Sequence, residues 1–148
     1  MDLARLLSDG LLILKGDEKS ANIETTLEAP GACFVNADPT YLKQVIWNIL
    51  NNAVQAMPQG GTLTVSLVSH EDHRGHFRRV SFADTGVGIP EHVQERLFEP
   101  FYTTRKSGTG LGLATAYRIV NELNGSISVE SEVGVGTTFM LELPSAIK

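Results

Sequence analysis

The chain has 148 residues, enough for one domain with a real hydrophobic core, and its 42% apolar and 20% charged composition is that of an ordinary soluble globular protein. A net charge of −5 argues against duplex nucleic acid as a partner, because phosphate backbones select basic surfaces, yet it leaves room for a small anionic ligand held locally. The single cysteine, Cys33, excludes an intramolecular disulfide and suggests a reducing, cytoplasmic location, no apolar run approaches the ~20 residues needed to span a bilayer, and Met1 is followed by Asp2 rather than by the basic start of a secretory signal.

Residues 2–14, DLARLLSDGLLIL, carry apolar residues at near-helical spacing, interrupted by Gly10. NIETTLE (22–28) reads as an extended segment and CFV (33–35) as a short strand with Cys33 buried and inert. Asp38 is a good N-cap and Pro39 a good first helical residue; Leu42, Val45, Ile46, Ile49, Leu50, Ala53, Val54 and Met57 then recur at helical steps until Pro58 and Gly60-Gly61. TLTVSLV (62–68) and RRVSFAD (78–84) read as antiparallel strands joined by a charged loop. His70, His73 and His76 stand three apart in that loop, HEDHRGH; a metal group is one reading, but the charge and glycine there favour a solvated turn.

EHVQERLF (91–98) reads as a short helix, 99–112 as a loop, and LATAYRIVNEL (113–123) as a helix stopped by Asn124-Gly125. SISVES and TTFMLELP close the chain as two strands joined by EVGVG. There is no internal repeat and no linker that would divide the chain. The order predicts one α+β domain over 1–148, with a sheet covered by helices on one face.

Four stretches carry chemistry. In the strong helix, Asn48 and Asn52 are four apart and share a face, with Gln44 and Gln55 extending a polar stripe. Asparagine gains little in a helix. The stripe is therefore either a solvated face or a set of amide oxygens aimed into a cleft as ligands for a hard cation such as Mg²⁺. DTGVGIP (84–90) follows a strand with an acidic residue and a glycine turn. Asp84 is either a turn-forming residue or a carboxylate that accepts from an exocyclic amine such as adenine's. LFEPFYTTRKSGTGLGL (97–113) combines aromatic anchors Phe98, Phe101 and Tyr102 with hydroxyls, Arg105, Lys106 and the glycines Gly108, Gly110 and Gly112, leading into a helix N-terminus suited to anions. The pattern is neither a Walker A motif nor a dinucleotide fingerprint.

In this order the stretches resemble the N box (QVIWNILNNAVQAM, 44–57), G1 box (DTGVGIP, 84–90), F box (LFEPFYTTR, 97–105) and G2 box (GTGLGLATAYRIV, 108–120) of the histidine kinase catalytic and ATP-binding domain, part of the GHKL superfamily. GVGTTFMLELP (134–144) is similar to the family's closing strand, and NAVQAM with FYTTRKSGTGLGL is most similar to kinases of the nitrogen-regulation type. The resemblance implies a Bergerat fold: a two-layer α/β sandwich, with a mixed, mainly antiparallel sheet packed on helices and a flexible ATP lid over about 100–110. It implies that Asn52 ligates Mg²⁺, with Asn48 beside it as the other catalytic polar residue. Asp84 would bind adenine, Gly86 and Gly88 would line the base, and Thr137 would approach it through water. Gly110 and Gly112 would approach the phosphates, flanked by Thr109 and Leu111, with Arg105 or Lys106 as charge partners.

The implied activity is transfer of the ATP γ-phosphate to a histidine on a separate dimerisation and phosphoacceptor domain, for relay to the receiver domain of a response regulator. ATP-hydrolysing members of the superfamily start the N box with a glutamate that serves as general base; Asn48 stands there and cannot take a proton at neutral pH. No phosphoacceptor histidine motif is visible, and residues 1–14 are too short for a helical hairpin, so the chain is expected to be a catalytic domain that starts just after one, monomeric by itself, its parent either soluble or membrane-anchored. Competing readings are a serine kinase of the anti-sigma-factor type, an ATP-driven clamp and a non-catalytic nucleotide-sensing module.

Overall fold

The computed structural model describes residues 1–16, 21–100 and 112–146. Elements follow in the order α1 (Leu3–Lys15), β1 (Ile23–Glu28), α2 (Pro39–Ala56), β2 (Gly61–Asp72), β3 (Gly75–Asp84), α3 (Glu91–Gln94), α4 (Gly112–Glu122), β4 (Ser126–Glu132) and β5 (Gly136–Pro144). The five strands form one sheet in the order β1-β2-β3-β5-β4; β1 and β2 are parallel and the other pairs antiparallel. This is the mixed, mainly antiparallel sheet expected. None of the described helices is long and apolar enough to cross a membrane.

Helix α2 organises the core. Asp38 caps it, its side chain accepting from the Thr40 N–H at 2.9 Å, and Pro39 supplies a preset φ at the first turn. Leu42, Val45, Ile46, Ile49, Leu50 and Ala53 are at most 2% exposed. Each larger member contributes roughly 1.5–3 kcal/mol by leaving water. On the sheet, Leu63, Val65, Leu67, Val80, Phe82, Phe139 and Leu141 form the matching buried face. Helix α1 packs beside α2 and also meets β1, and Gly10 does not interrupt it; a Cβ there would come within 3.2 Å of the Leu50 side chain. Helix α4 ends as read: Asn124 adopts φ 61° and the Gly125 N–H reaches back to the Val120 carbonyl at 3.0 Å.

Three expectations are corrected. CFV is not a strand: Phe34 and Val35 make only isolated bridges, to Asp2 and Ser145, though Cys33 is buried as expected. The helix read over 91–98 stops at Gln94, and Arg96, Leu97 and Glu99 continue in tight turns bonded three residues back. The charged loop is much shorter than read, because β2 and β3 run on to Asp72 and Gly75 and leave only His73 and Arg74 between them. Ion pairs support that extension. Arg74 pairs with Asp72 and Glu142, and Arg79 with Glu142 at 2.8 Å. His70 and His76 lie on opposite strands, 3.0 Å from Asp72 and 3.6 Å from Glu71 respectively.

Candidate functional site

Asp84 ends β3 with its side chain on the helix-covered face. Its partners across the sheet are Leu63 on β2 and Thr137 on β5, and Thr137 is in turn opposite Ser131 on β4. Directly paired residues present their side chains to the same face. Leu63, Asp84, Thr137 and Ser131 therefore form one row at the end of the sheet. Asp84 is 6% exposed and Thr137 4%.

The Asp84 Oδ1 accepts from the Gly86 N–H at 2.9 Å and the Thr137 N–H at 3.2 Å. Both bonds use the same oxygen. Burial raises the carboxyl's pKa above its usual range, and the two backbone donors only partly oppose that. A buried carboxylate held this way is an acceptor that favours a ligand able to donate.

The following turn is clamped on both sides. The Val87 N–H donates to the Ala56 carbonyl at the end of α2 (3.0 Å), and the Val87 carbonyl accepts from the Gly134 N–H (2.9 Å). Gly86 must lack a side chain because a Cβ would lie 2.4 Å from the Ala56 oxygen. Gly88 has φ +78° and would place a Cβ 2.3 Å from the Glu132 oxygen. Both glycines thus answer to protein packing. Gly112 differs again: among the described residues, a Cβ there meets Asn48 at ordinary contact distance, 3.7 Å away.

Asn48, Asn52 and Ala56 are successive turns of one α2 face. Asn52 is 7% exposed, while Gln44 and Gln55 are exposed. At one end the Asn48 Nδ2 donates to the Gly112 carbonyl at 2.9 Å, where α4 begins. At the other, Ala56 holds the 84–88 turn. The face therefore runs from a helix N-terminus to a buried carboxylate, about 12 Å along the helix at 1.5 Å per residue. A donor-bearing base at one end and an anion at the other match this polarity.

Arg105, Lys106, Thr109, Gly110 and Leu111, with Phe101, Tyr102 and the lid read over about 100–110, lie outside the described residues apart from Pro100. Phe98 does serve as an anchor: it stacks on Tyr117 at 5.5 Å and meets Phe139 edge-on at 6.4 Å. Sequence reasoning missed Ser131 and Gln94. The Ser131 Oγ lies 2.7 Å from the Thr137 Oγ1 and accepts from the Ile89 N–H at 2.7 Å. The Gln94 Nε2 donates to the carbonyls of Ile89 (2.7 Å) and Ser131 (3.1 Å). A signal for Ser131 was available: it breaks the alternation Ile127, Val129 at the parity that faces the core.

Residues 37–147 match the model of the family described as histidine kinase-, DNA gyrase B- and HSP90-like ATPase. Sporulation kinase E of Bacillus subtilis (strain 168) is 38% identical over 148 residues, covering 96% of this chain but 19% of that protein. Among solved structures, the catalytic domain of histidine kinase ThkA superposes with a TM-score of 0.83 at 31% identity, over 98% of this chain and 93% of that one. Full-length ShkA in complex with AMPPNP gives 0.84 at 28% identity, over 99% of this chain and 30% of that one. The chain spans about a fifth of the length of the sporulation kinase it matches. A motif order, a sheet topology and a whole-domain superposition agree, and the chain belongs to the histidine kinase-, DNA gyrase B- and HSP90-like ATPase family, with histidine kinases as its relatives.

Proposed function

We propose that this chain is the ATP-binding catalytic segment of a sensor histidine kinase, which transfers the ATP γ-phosphate to a histidine on a separate phosphoacceptor domain. From there the phosphoryl group passes to the receiver domain of a response regulator. One observation carries the reading: a buried carboxylate, Asp84, at one end of an asparagine-bearing helix face whose other end meets the N-terminus of α4. The carboxylate would accept from the adenine amine, with Thr137 and the Gly86–Gly88 turn beside it. Polyphosphate would lie toward α4, with Arg105, Lys106 and the backbone of Thr109–Gly112 as its partners. The AMPPNP held by the related ShkA supports an adenine nucleotide here.

The donor set fits Mg²⁺. Among the described residues no cluster of three His, Cys, Asp or Glu side chains is present, so the ion would rest on the Asn52 amide oxygen, phosphate oxygens and water. Bound so, it would neutralise phosphate charge during transfer. The chain's own contribution is binding and orientation. Asn48, half-buried with its amide N–H₂ turned to the Gly112 carbonyl, offers no base for water. A neutral imidazole needs none, so transfer to histidine is favoured over hydrolysis.

The test is phosphate release from ATP with Mg²⁺ by the wild type and Asn48→Ala. The wild type is expected to bind ATP yet turn over far more slowly than about one per second, a slow rate for enzymes. Fast release by the wild type, abolished by Asn48→Ala, would overturn the reading in favour of a hydrolysing clamp.

A further inference from the structure

The Ser131 hydroxyl sits where two backbone groups and one hydroxyl converge. Its Oγ is 2.9 Å from the Gly136 carbonyl, 2.7 Å from the Ile89 N–H and 2.7 Å from the Thr137 Oγ1. The proton assignment is forced by chemistry. A hydroxyl has one proton and two lone pairs. The Gly136 oxygen can only accept, so it takes the Ser131 proton. The Ile89 N–H can only donate, so it occupies one Ser131 lone pair. The remaining lone pair must take the Thr137 proton. Thr137 is then left with lone pairs only, beside Asp84, which is an acceptor while ionised.

Resting on the nucleotide reading above, we infer that Ser131 is a positioning residue for base selectivity. By binding the Thr137 proton it makes the Thr137 hydroxyl an acceptor toward the ligand. By binding the Ile89 N–H it fixes the far end of the 84–89 turn, whose Ile89 carbonyl Gln94 holds in turn. With both Asp84 and Thr137 accepting, the site favours a purine edge or an intervening water that donates. At position 6 an amino purine donates to these acceptors, whereas a 6-oxo purine presents an acceptor to acceptors there and is rejected. Without Ser131 the Thr137 hydroxyl can rotate and donate, and part of that rejection is lost.

The probes are ADP and IDP, whose bases differ at C6 (amino against oxo) and at N1 (bare nitrogen against N–H). Calorimetric titration is run on the wild type, Ser131→Ala, Thr137→Val and the double variant, with thermal melting to establish folding. The wild type prefers ADP. Ser131→Ala is expected to lower the ADP-to-IDP preference by about 3–10-fold, the worth of one neutral hydrogen bond. Thr137→Val should lower it similarly, and adding Ser131→Ala to Thr137→Val should change it by less than about twofold, because the two act through one bond. Amide exchange of Ile89 without nucleotide should speed up in Ser131→Ala. An unchanged preference in Ser131→Ala or in Thr137→Val overturns the inference. So does an equal loss of both nucleotides in either background, which marks a merely structural role. If Ser131→Ala does not fold, Thr137→Val alone decides. A folded wild type that binds neither nucleotide refutes the underlying nucleotide reading instead.

Discussion

Asp84 is costly to the protein that carries it. Its folded-state pKa is raised by burial, so the folded chain binds that proton more tightly than the unfolded chain. Its effect on stability is therefore unfavourable above the raised value and fades as pH falls toward the ordinary carboxylate range. Asp84→Asn keeps an acceptor for the Gly86 and Thr137 N–H groups and removes the buried charge. It should be more stable than the wild type in urea at pH 7, with the gap closing as pH is lowered, and should bind adenine nucleotide more weakly. A gap that is constant with pH would show that burial does not penalise this carboxylate. The glycines give a second contrast. Gly88→Ala should cost about 2 kcal/mol or more through positive φ and collision with the Glu132 carbonyl. Gly112→Ala should change thermal stability by less than about 1 kcal/mol, in the favourable direction expected of a helical position. A Gly112→Ala that melts like Gly88→Ala would contradict this account.

Among the elements, α2 was legible because its cap, period and stop agree, and agreement across levels is what marks a well-specified segment. CFV misled because three apolar residues fit a strand and an isolated bridge equally well; Cys33 and Val35 are buried where the segment docks against the start of the chain, with the Leu3 N–H meeting the Cys33 carbonyl at 2.7 Å. The β2–β3 hairpin was read too short because its outer end is charged, and charge reads as loop. Here long-range pairing reverses that sign: Glu142 lies 6% exposed on β5, and although burial pushes its carboxyl up, the Arg79 and Arg74 side chains outweigh this and hold it below the usual range. Arg79→Ala should therefore destabilise the fold by about 1–3 kcal/mol in urea, by leaving a buried carboxylate short of donors. The double change Arg79→Met, Glu142→Leu should cost less than Arg79→Ala alone. A double variant worse than the single would mean that the pair itself supplies net stability.

Across the whole molecule, the site is assembled from positions far apart in the chain: 48 and 52 on a helix, 84 at a strand end, 112 at a helix start, 131 and 137 across a hairpin. Asn52 and Asp84 could be found in the sequence because each is a polar residue in an apolar pattern. Thr137 and Ser131 break the same pattern at the same end of the sheet, beside Phe139 and Val129. Thr137 was recognised only by resemblance and Ser131 not at all, because what each does depends on a partner in another strand. The reason for Gly86 and Gly88 was likewise out of reach of sequence, which shows where a glycine stands but not what presses against it.

We propose an adenine-nucleotide site in which Asp84 receives the base and Asn52 the metal. Its most direct test is calorimetric titration with AMPPNP, with and without Mg²⁺, on the wild type, Asp84→Ala and Asn52→Ala. The account predicts micromolar, Mg²⁺-dependent binding by the wild type, none by Asp84→Ala, and binding that no longer responds to Mg²⁺ in Asn52→Ala. A folded wild type that does not bind AMPPNP, or an Asp84→Ala variant that binds as the wild type does, would contradict it.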